Sequence, residues 1–272
     1  MTLVMGVLNV TPDSFSDGGL WFDTDAAIAH GIELAAQGAD IVDVGGESTR
    51  PGASRVPVQT EIERVVPVVT ELAARGIRVS VDTMNARTAW AAAEVGAAII
   101  NDVSGGLADP AMSEAAVRSG LDYVVMHWRG HSADMNSLAR YTDVARESRD
   151  ELFARVDALV AAGADPAKLI IDPGLGFSKN AEHNWQVLAH LRVYEERGLP
   201  VLIGASRKRF LGSLLPQDAP VEARDAPTAV ISALAAQAGV WAVRVHDVPS
   251  TRIALDVVAH WAAAAALKDV DA

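Results

Sequence analysis

Short apolar runs alternate eight times with longer, Ala-rich amphipathic stretches along this chain, and that alternation leaves few architectures open. The runs occupy 4–10, 41–44, 79–82, 98–101, 123–127, 169–172, 201–204 and 242–246. Helical periodicity falls between and after them, near 25–37, 58–75, 86–95, 110–119, 142–163, 181–193, 226–238 and 250–266. The runs are almost continuously apolar, as strands buried on both faces of a parallel sheet must be. Eight consecutive strand–helix units in 272 residues predict an α/β fold, a TIM (β/α)8 barrel. An open doubly wound sheet is the alternative that the periodicity by itself allows. No Pro/Gly/Ser-rich linker divides the sequence, so 1–272 is expected to form a single domain.

Half the residues are hydrophobic, enough for a large core, and the charged fraction of 21% comes without long polar tracts. A net charge of −12 disfavours nucleic acid as a partner, because that partner needs a basic face. A few Arg and Lys can still converge on one anion. The absence of cysteine excludes disulfides, thiolate metal sites and a Cys nucleophile. The first residues lack a basic start followed by a long apolar run, and no stretch suits a membrane span. A cytoplasmic protein with no membrane partner is the expectation.

Two connections exceed the usual βα loop. The segment 11–24 is rich in turn formers, and 45–57 is rich in Gly, Ser and Pro. On the carboxyl face of a barrel such loops are candidate lids. What ends each apolar run is equally informative: Asn9, Asp82, Asn101 with Asp102, His127, Asp172, Ser206-Arg207-Lys208, and Arg244 with His246. Barrel strand ends meet at one rim, where active sites sit. Each residue also has a plainer reading. Asp82 and Asp102 could cap helices, Asp172 could serve the Pro173-Gly174 turn, Asn9 and Asn101 could bond loop backbone, and Lys208 could be a solvated charge. Strand alternation puts Arg244 and His246 on one face. A buried Arg needs an anionic partner, so the pair either receives an anionic ligand or Arg244 meets a core carboxylate.

Several local motifs lead nowhere. Gly174-Leu175-Gly176 follows a strand, but Lys179 stands where a dinucleotide fingerprint needs its third Gly. His127 and His131 flank Gly130 in a loop, which does not make the helical His pair of a zinc protease. Ser14, Ser16 and Ser48 lack the strand–turn–helix context of a nucleophile elbow.

Taken in order, eight segments carry a family resemblance. They open with Met5-Gly6-Val7-Leu8-Asn9-Val10-Thr11-Pro12-Asp13-Ser14-Phe15-Ser16-Asp17-Gly18-Gly19 and Asp43-Val44-Gly45-Gly46-Glu47-Ser48-Thr49-Arg50-Pro51-Gly52. Ser80-Val81-Asp82-Thr83, Ile100-Asn101-Asp102-Val103-Ser104-Gly105-Gly106 and Val125-Met126-His127 follow. Asp172-Pro173-Gly174-Leu175-Gly176-Phe177, Gly204-Ala205-Ser206-Arg207-Lys208-Arg209 and Arg244-Val245-His246-Asp247 complete the set. The chain thereby resembles the dihydropteroate synthases, pterin-binding TIM barrels of folate synthesis.

The resemblance implies two small-molecule substrates, 6-hydroxymethyl-7,8-dihydropterin pyrophosphate and p-aminobenzoate, with Mg2+ as cofactor and a homodimer built through late helices. It implies that Asp82, Asn101, Asp172 and Lys208 hold the pterin, with Met126, Phe177 and Gly204 lining a flat slot. Asn9, Arg244 and His246 would take the pyrophosphate, Asn9 also binding the metal. Thr49, Arg50, Pro51 and Ser206 would receive p-aminobenzoate, and Asp17, Lys208 and Arg50 would serve the chemistry. Pyrophosphate would leave in an SN1-like step before the aryl amine attacks. A pterin-binding methyltransferase on the same barrel and a non-catalytic homologue are the competing readings. The first would not carry both long-loop signatures together with Ser206-Arg207-Lys208, and the second should have lost loop or anion residues.

Overall fold

A computed structural model of the chain describes residues 1–11, 24–47, 55–130 and 137–266. Strands and helices alternate as β1 (Leu3–Asn9), α1 (Thr24–Ala36), β2 (Ile41–Gly45), α2 (Val58–Ala74), β3 (Val79–Asp82), α3 (Ala86–Glu94), β4 (Ile99–Asp102) and α4 (Met112–Arg118). The second half continues with β5 (Asp122–Met126), α5 (Val144–Ala161), β6 (Leu169–Asp172), α6 (Ala181–Ala189), β7 (Leu202–Ile203), α7 (Asp225–Gln237), β8 (Ala242–Val245) and α8 (Val248–Ala266).

All the pairings are parallel, in the order β6-β5-β4-β3-β2-β1-β8-β7. A single parallel bridge between Ile171 and Val201, with Ile171 N–H donating to Pro200 O at 2.9 Å, brings β6 to β7 and closes the ring. The expected TIM barrel is therefore the observed one. Strand alternation sorts its side chains. Val4, Leu8, Val42, Val44, Val79, Val81 and Ile100 face outward into the core shared with the helices. Met5, Ile41, Ile99, Val124, Ile170, Leu202 and Ala242 face inward and plug the barrel as a separate apolar cluster. In α2, Glu61, Val65, Val68, Val69 and Leu72 are the buried residues, at the three- and four-residue spacing of one helix face.

Two stretches differ from the periodicity. The helix expected to 193 stops at Ala189, and Leu191–Arg197 winds on as a 3-10 helix. Leu191 and Tyr194, both buried, lie three apart, and three residues per turn keep them on one face. Between β7 and α7, 3-10 turns at Arg209–Leu214 and Val221–Arg224 add structure that the sequence pattern did not signal.

Candidate active site

Two positions beyond each apolar plug residue the side chains turn mostly polar, with Val7 and Met126 the apolar exceptions and Gly204 bare. From Met5, Ile41, Ile99, Val124, Ile170, Leu202 and Ala242, that step reaches Val7, Asp43, Asn101, Met126, Asp172, Gly204 and Arg244. Asp82 joins them from β3, in register with Asn101. The barrel is thus sealed below by hydrocarbon and floored above it by carboxylates, an amide and a guanidinium.

These groups are already linked. Arg244 Nε donates to Asp43 Oδ2 at 2.6 Å, and Arg244 Nη2 to Asp82 Oδ2 at 2.7 Å. Asn101 Nδ2 donates to Asp43 Oδ2 at 3.0 Å. The second oxygens of Asp43 and Asp82 are buried and have no partner. A buried, unbonded carboxylate oxygen carries a desolvation cost that a donating ligand would relieve. Asp172, also buried, accepts Gly174 N–H through Oδ1 at 2.7 Å. A Cβ at Gly204 would stand 3.7 Å from Asp172 Oδ2, so glycine keeps the space beside that carboxylate open.

Burial works against the charges of Asp82, Asp172, Lys208 and Arg244. It raises the Asp82 pKa; Arg244 opposes the rise, while Asp43 and Glu61 add to it. It raises Asp172, offset by the Gly174 N–H and by Lys208, Lys179 and Arg244. Burial lowers Lys208 to about 8, against the pull of Asp172. Arg244 is raised, because Asp43 and Asp82 outweigh its own desolvation. The floor is a set of mutually dependent ions in a poorly solvated space, where interactions between charges are strong.

One wall is apolar: Met84, Val103 and Met126 pack together with Phe177 against them. Lys208 Nζ lies 4.4 Å from the centroid of the Phe177 ring and donates to Leu175 O. At the rim, Ser206 Oγ lies 2.9 Å from His246 Nδ1 and accepts from the His246 backbone N–H at 3.1 Å. Half-buried Asn9 ends β1 in register with Gly45.

The model of the pterin binding enzyme family matches residues 5–246. The chain belongs to the pterin-binding enzyme family. A dihydropteroate synthase of Mycobacterium leprae (strain TN) is 55% identical over 263 residues, 95% of this chain and 93% of that protein. Among solved structures, Xanthomonas albilineans dihydropteroate synthase with 4-aminobenzoic acid superposes with a TM-score of 0.89 at 44% identity, covering 98% of this chain and 94% of that one. The same bacterium's enzyme with 7,8-dihydropteroate gives 0.86 at 41% identity, with the same coverage.

In this pterin-binding enzyme the plainer readings of the strand ends also find their places. Arg244 does meet core carboxylates, two of them. Asp102 faces outward and accepts from Ser104 N–H and Oγ–H, Gly106 N–H and Tyr123 O–H, so it builds the turn after β4. Asp172 serves its turn and the barrel interior together. Asp82, Asn101, Asp172, Met126, Gly204 and Arg244 converge on the barrel interior, with Phe177 and Lys208 beside them. One amide N–H of Asn101 is committed to Asp43. Ser206 is engaged with His246. Asp17, Thr49, Arg50 and Pro51 lie outside the described residues.

Sequence reasoning missed Asp43, which ties Arg244 to Asn101, and the apolar wall residues Met84 and Val103. The signal for Asp43 was available: it shares the parity of Ile41 and Gly45 in a strand otherwise made of Ile, Val and a final Gly. A charged residue inside so apolar a run calls for a partner, as Arg244 did.

Proposed function

We propose that this chain is a dihydropteroate synthase, joining 6-hydroxymethyl-7,8-dihydropterin pyrophosphate to p-aminobenzoate with release of pyrophosphate. The observation that carries the reading is the barrel floor, where the orphaned Asp82 Oδ1 and the buried Asp172 lie under the influence of Arg244 and Lys208, and Lys208 in turn lies against Phe177 of the apolar cluster. Adjacent N–H donors on one pterin edge suit carboxylates, as charge-assisted bonds. The acceptors on its other edge suit Lys208 and the remaining N–H of Asn101. Met126, Phe177 and Gly204 would leave a slot one ring thick. The 4-aminobenzoic acid of one solved relative is the amine substrate of this reaction, and the 7,8-dihydropteroate of another is its product.

In this reading Arg244, His246 and Asn9 take the pyrophosphate. Arg244 has donors beyond the two it gives to Asp43 and Asp82. No cluster of three or more His, Cys, Asp or Glu suited to a metal occurs among the described residues. Half-buried Asn9 offers an amide oxygen, a hard ligand that suits Mg2+ otherwise carried by the pyrophosphate and water, since Mg2+ keeps waters and takes few protein groups. Bound there, Mg2+ would supply charge neutralisation to the leaving pyrophosphate. The pterin methylene then bears positive charge, which Asp17 is proposed to stabilise while Thr49, Arg50, Pro51 and Ser206 hold p-aminobenzoate. The aryl amine is neutral at pH 7, so positioning and electrostatics do the work without a strong base.

A homodimer belongs to the same proposal. Val230, Leu234, Val257 and Trp261 are all more than half exposed, and they line one apolar groove between α7 and α8. Patches of this kind mark protein interfaces, and a second copy presenting the same groove is the expected occupant. Sedimentation velocity should give a dimer for the chain and a monomer for Trp261→Glu; a monomeric parent chain defeats this part.

The function itself is tested by incubating the chain with pterin pyrophosphate, p-aminobenzoate and Mg2+. Dihydropteroate and pyrophosphate should appear in equal amounts. A folded chain that binds the pterin substrate yet releases no dihydropteroate would overturn the proposal and favour a non-catalytic homologue.

A further inference from the structure

Behind the turn that follows β6 lies a buried lysine to which the proposed reaction gives no role. Lys179 is 7% exposed. Its Nζ donates to His127 Nδ1 at 2.9 Å, to Gly174 O at 3.2 Å and to Phe177 O at 3.4 Å. An ammonium has three N–H donors, and these acceptors occupy them all. None of the three is a carboxylate. His127 is neutral in this arrangement: Nδ1 accepts from Lys179, so Nε2 carries the proton and donates to Glu151 Oε2 at 2.9 Å. Glu151 is held in turn by Arg129, whose Nε donates at 2.9 Å. A chain of contacts therefore runs from the surface to the turn.

The turn needs holding. Gly174, Gly176 and Ser178 all take positive φ, at 70°, 77° and 47°. Ser178 is not a glycine, and such backbone persists only where its surroundings impose it. Lys208 takes the carbonyl of Leu175, and Lys179 takes those of Gly174 and Phe177 that flank it. Phe177 is the residue this turn adds to the apolar wall.

We infer that Lys179 is a positioning residue for the pterin substrate: it fixes the turn that presents Phe177 to the slot, and its charge acts on Asp172. The inference rests on the function proposed above. Asp172 is raised by burial, and Lys179 is one of the cations that oppose the rise and favour the ionised form a pterin N–H pair requires. Burial also lowers Lys179, to about 7, with Asp172 and Glu151 opposing and Lys208 and Arg129 assisting. Among the described residues, His127 and His183 are the other titratable groups around it. Below about pH 7 Lys179 is charged, so Asp172 titrates in the presence of that charge.

The test compares wild type with Lys179→Met, measuring KM for each substrate and the pH profile of kcat/KM for the pterin substrate. Lys179→Met should raise the pterin KM about tenfold and leave that for p-aminobenzoate within about twofold. Its acid limb should move to higher pH by about one unit, the size of effect expected when a nearby opposite charge is lost. A general loss of structure would raise both KM values alike and leave the limb in place. Either of those results, or no change in KM, overturns the inference. If Lys179→Met does not fold, His127→Gln decides: a rise confined to the pterin KM supports the inference, and equal rises or none overturn it. Should the wild type make no dihydropteroate, the functional reading fails instead. The same comparison is then made on calorimetric affinity for the pterin pyrophosphate, with the same outcomes.

Discussion

Arg244 Nη2 donates to Asp82 Oδ2 at 2.7 Å, joining residues 162 positions apart across the barrel mouth. The same guanidinium holds Asp43 through Nε, so one cation compensates two buried carboxylates. Arg244→Met should therefore cost about 3–5 kcal/mol of stability in urea unfolding, the scale of a broken buried ion pair. Arg244→Lys should fall between, since a point charge cannot reproduce the fork. A Met variant as stable as wild type would show that the barrel floor tolerates both charges unpaired.

Asp172→Asn separates the turn from the ligand. The amide oxygen can still accept Gly174 N–H, the 2.7 Å bond that shapes the turn, but the anionic acceptor is gone. The expected result is a fall of about 100-fold in kcat/KM for the pterin substrate, or about 2.7 kcal/mol, with the melting temperature nearly unchanged. Normal turnover would remove Asp172 from the site.

Two glycines of that turn predict different failures. A Cβ at Gly174 would lie 2.4 Å from the His127 carbonyl oxygen, which is backbone and cannot step aside. At Gly176 it would lie 2.7 Å from Lys208 Cδ, a flexible side chain. Gly174→Ala should destabilise the fold by more than about 2 kcal/mol. Gly176→Ala should lose less stability and instead weaken pterin use by displacing Lys208. Thermal melts paired with steady-state kinetics read both, and equal melting temperatures for the two variants would contradict the contrast.

His127 sets a pH dependence. Burial, aided by Lys179, lowers its pKa to about 4, against 6.5 for an ordinary histidine. Between those values the unfolded chain binds a proton that the native His127 does not, so its contribution to stability is lost as pH falls from 6.5 to about 4. Raised carboxylates such as Asp172 act in the opposite sense, so the diagnostic quantity is a difference between variants. Wild-type minus His127→Gln stability should change by about 1.4 kcal/mol per pH unit in that window. Parallel curves in urea titrations from about pH 4 to 7 would rule this out.

Glu61 is fully buried on α2 and accepts from Thr83 Oγ1 at 2.6 Å, Asn85 Nδ2 at 2.6 Å and Thr88 Oγ1 at 2.7 Å. It anchors the loop that follows Asp82. Glu61→Ala strands three donors and opens a cavity, for an expected loss of about 3 kcal/mol. Glu61→Gln should lose less, since its amide oxygen can still accept. Unfolding by urea would detect either change.

Much of this protein can be read along the chain. Eight apolar runs of strand length, separated by helical periodicity, determine a parallel α/β sheet, because runs buried on both faces need helices to cover them; the bridge from Ile171 to Val201 decides for the closed barrel over the open sheet. The polar residues that end those runs are legible as rim groups, and alternation alone pairs Arg244 with His246. Alternation also puts neighbours Asn101 and Asp102 on opposite faces of β4, but it does not say which turns inward. Closure of the ring decided that: Asn101 meets Asp43, while Asp102 turns out to Tyr123 and the Ser104 turn. The contacts that make the floor a site join residues 58, 162 and 201 positions apart. No local pattern encodes such pairs. They exist because closure carries distant strands into one poorly solvated space, where each charge must find its partner among whichever side chains the register brings there.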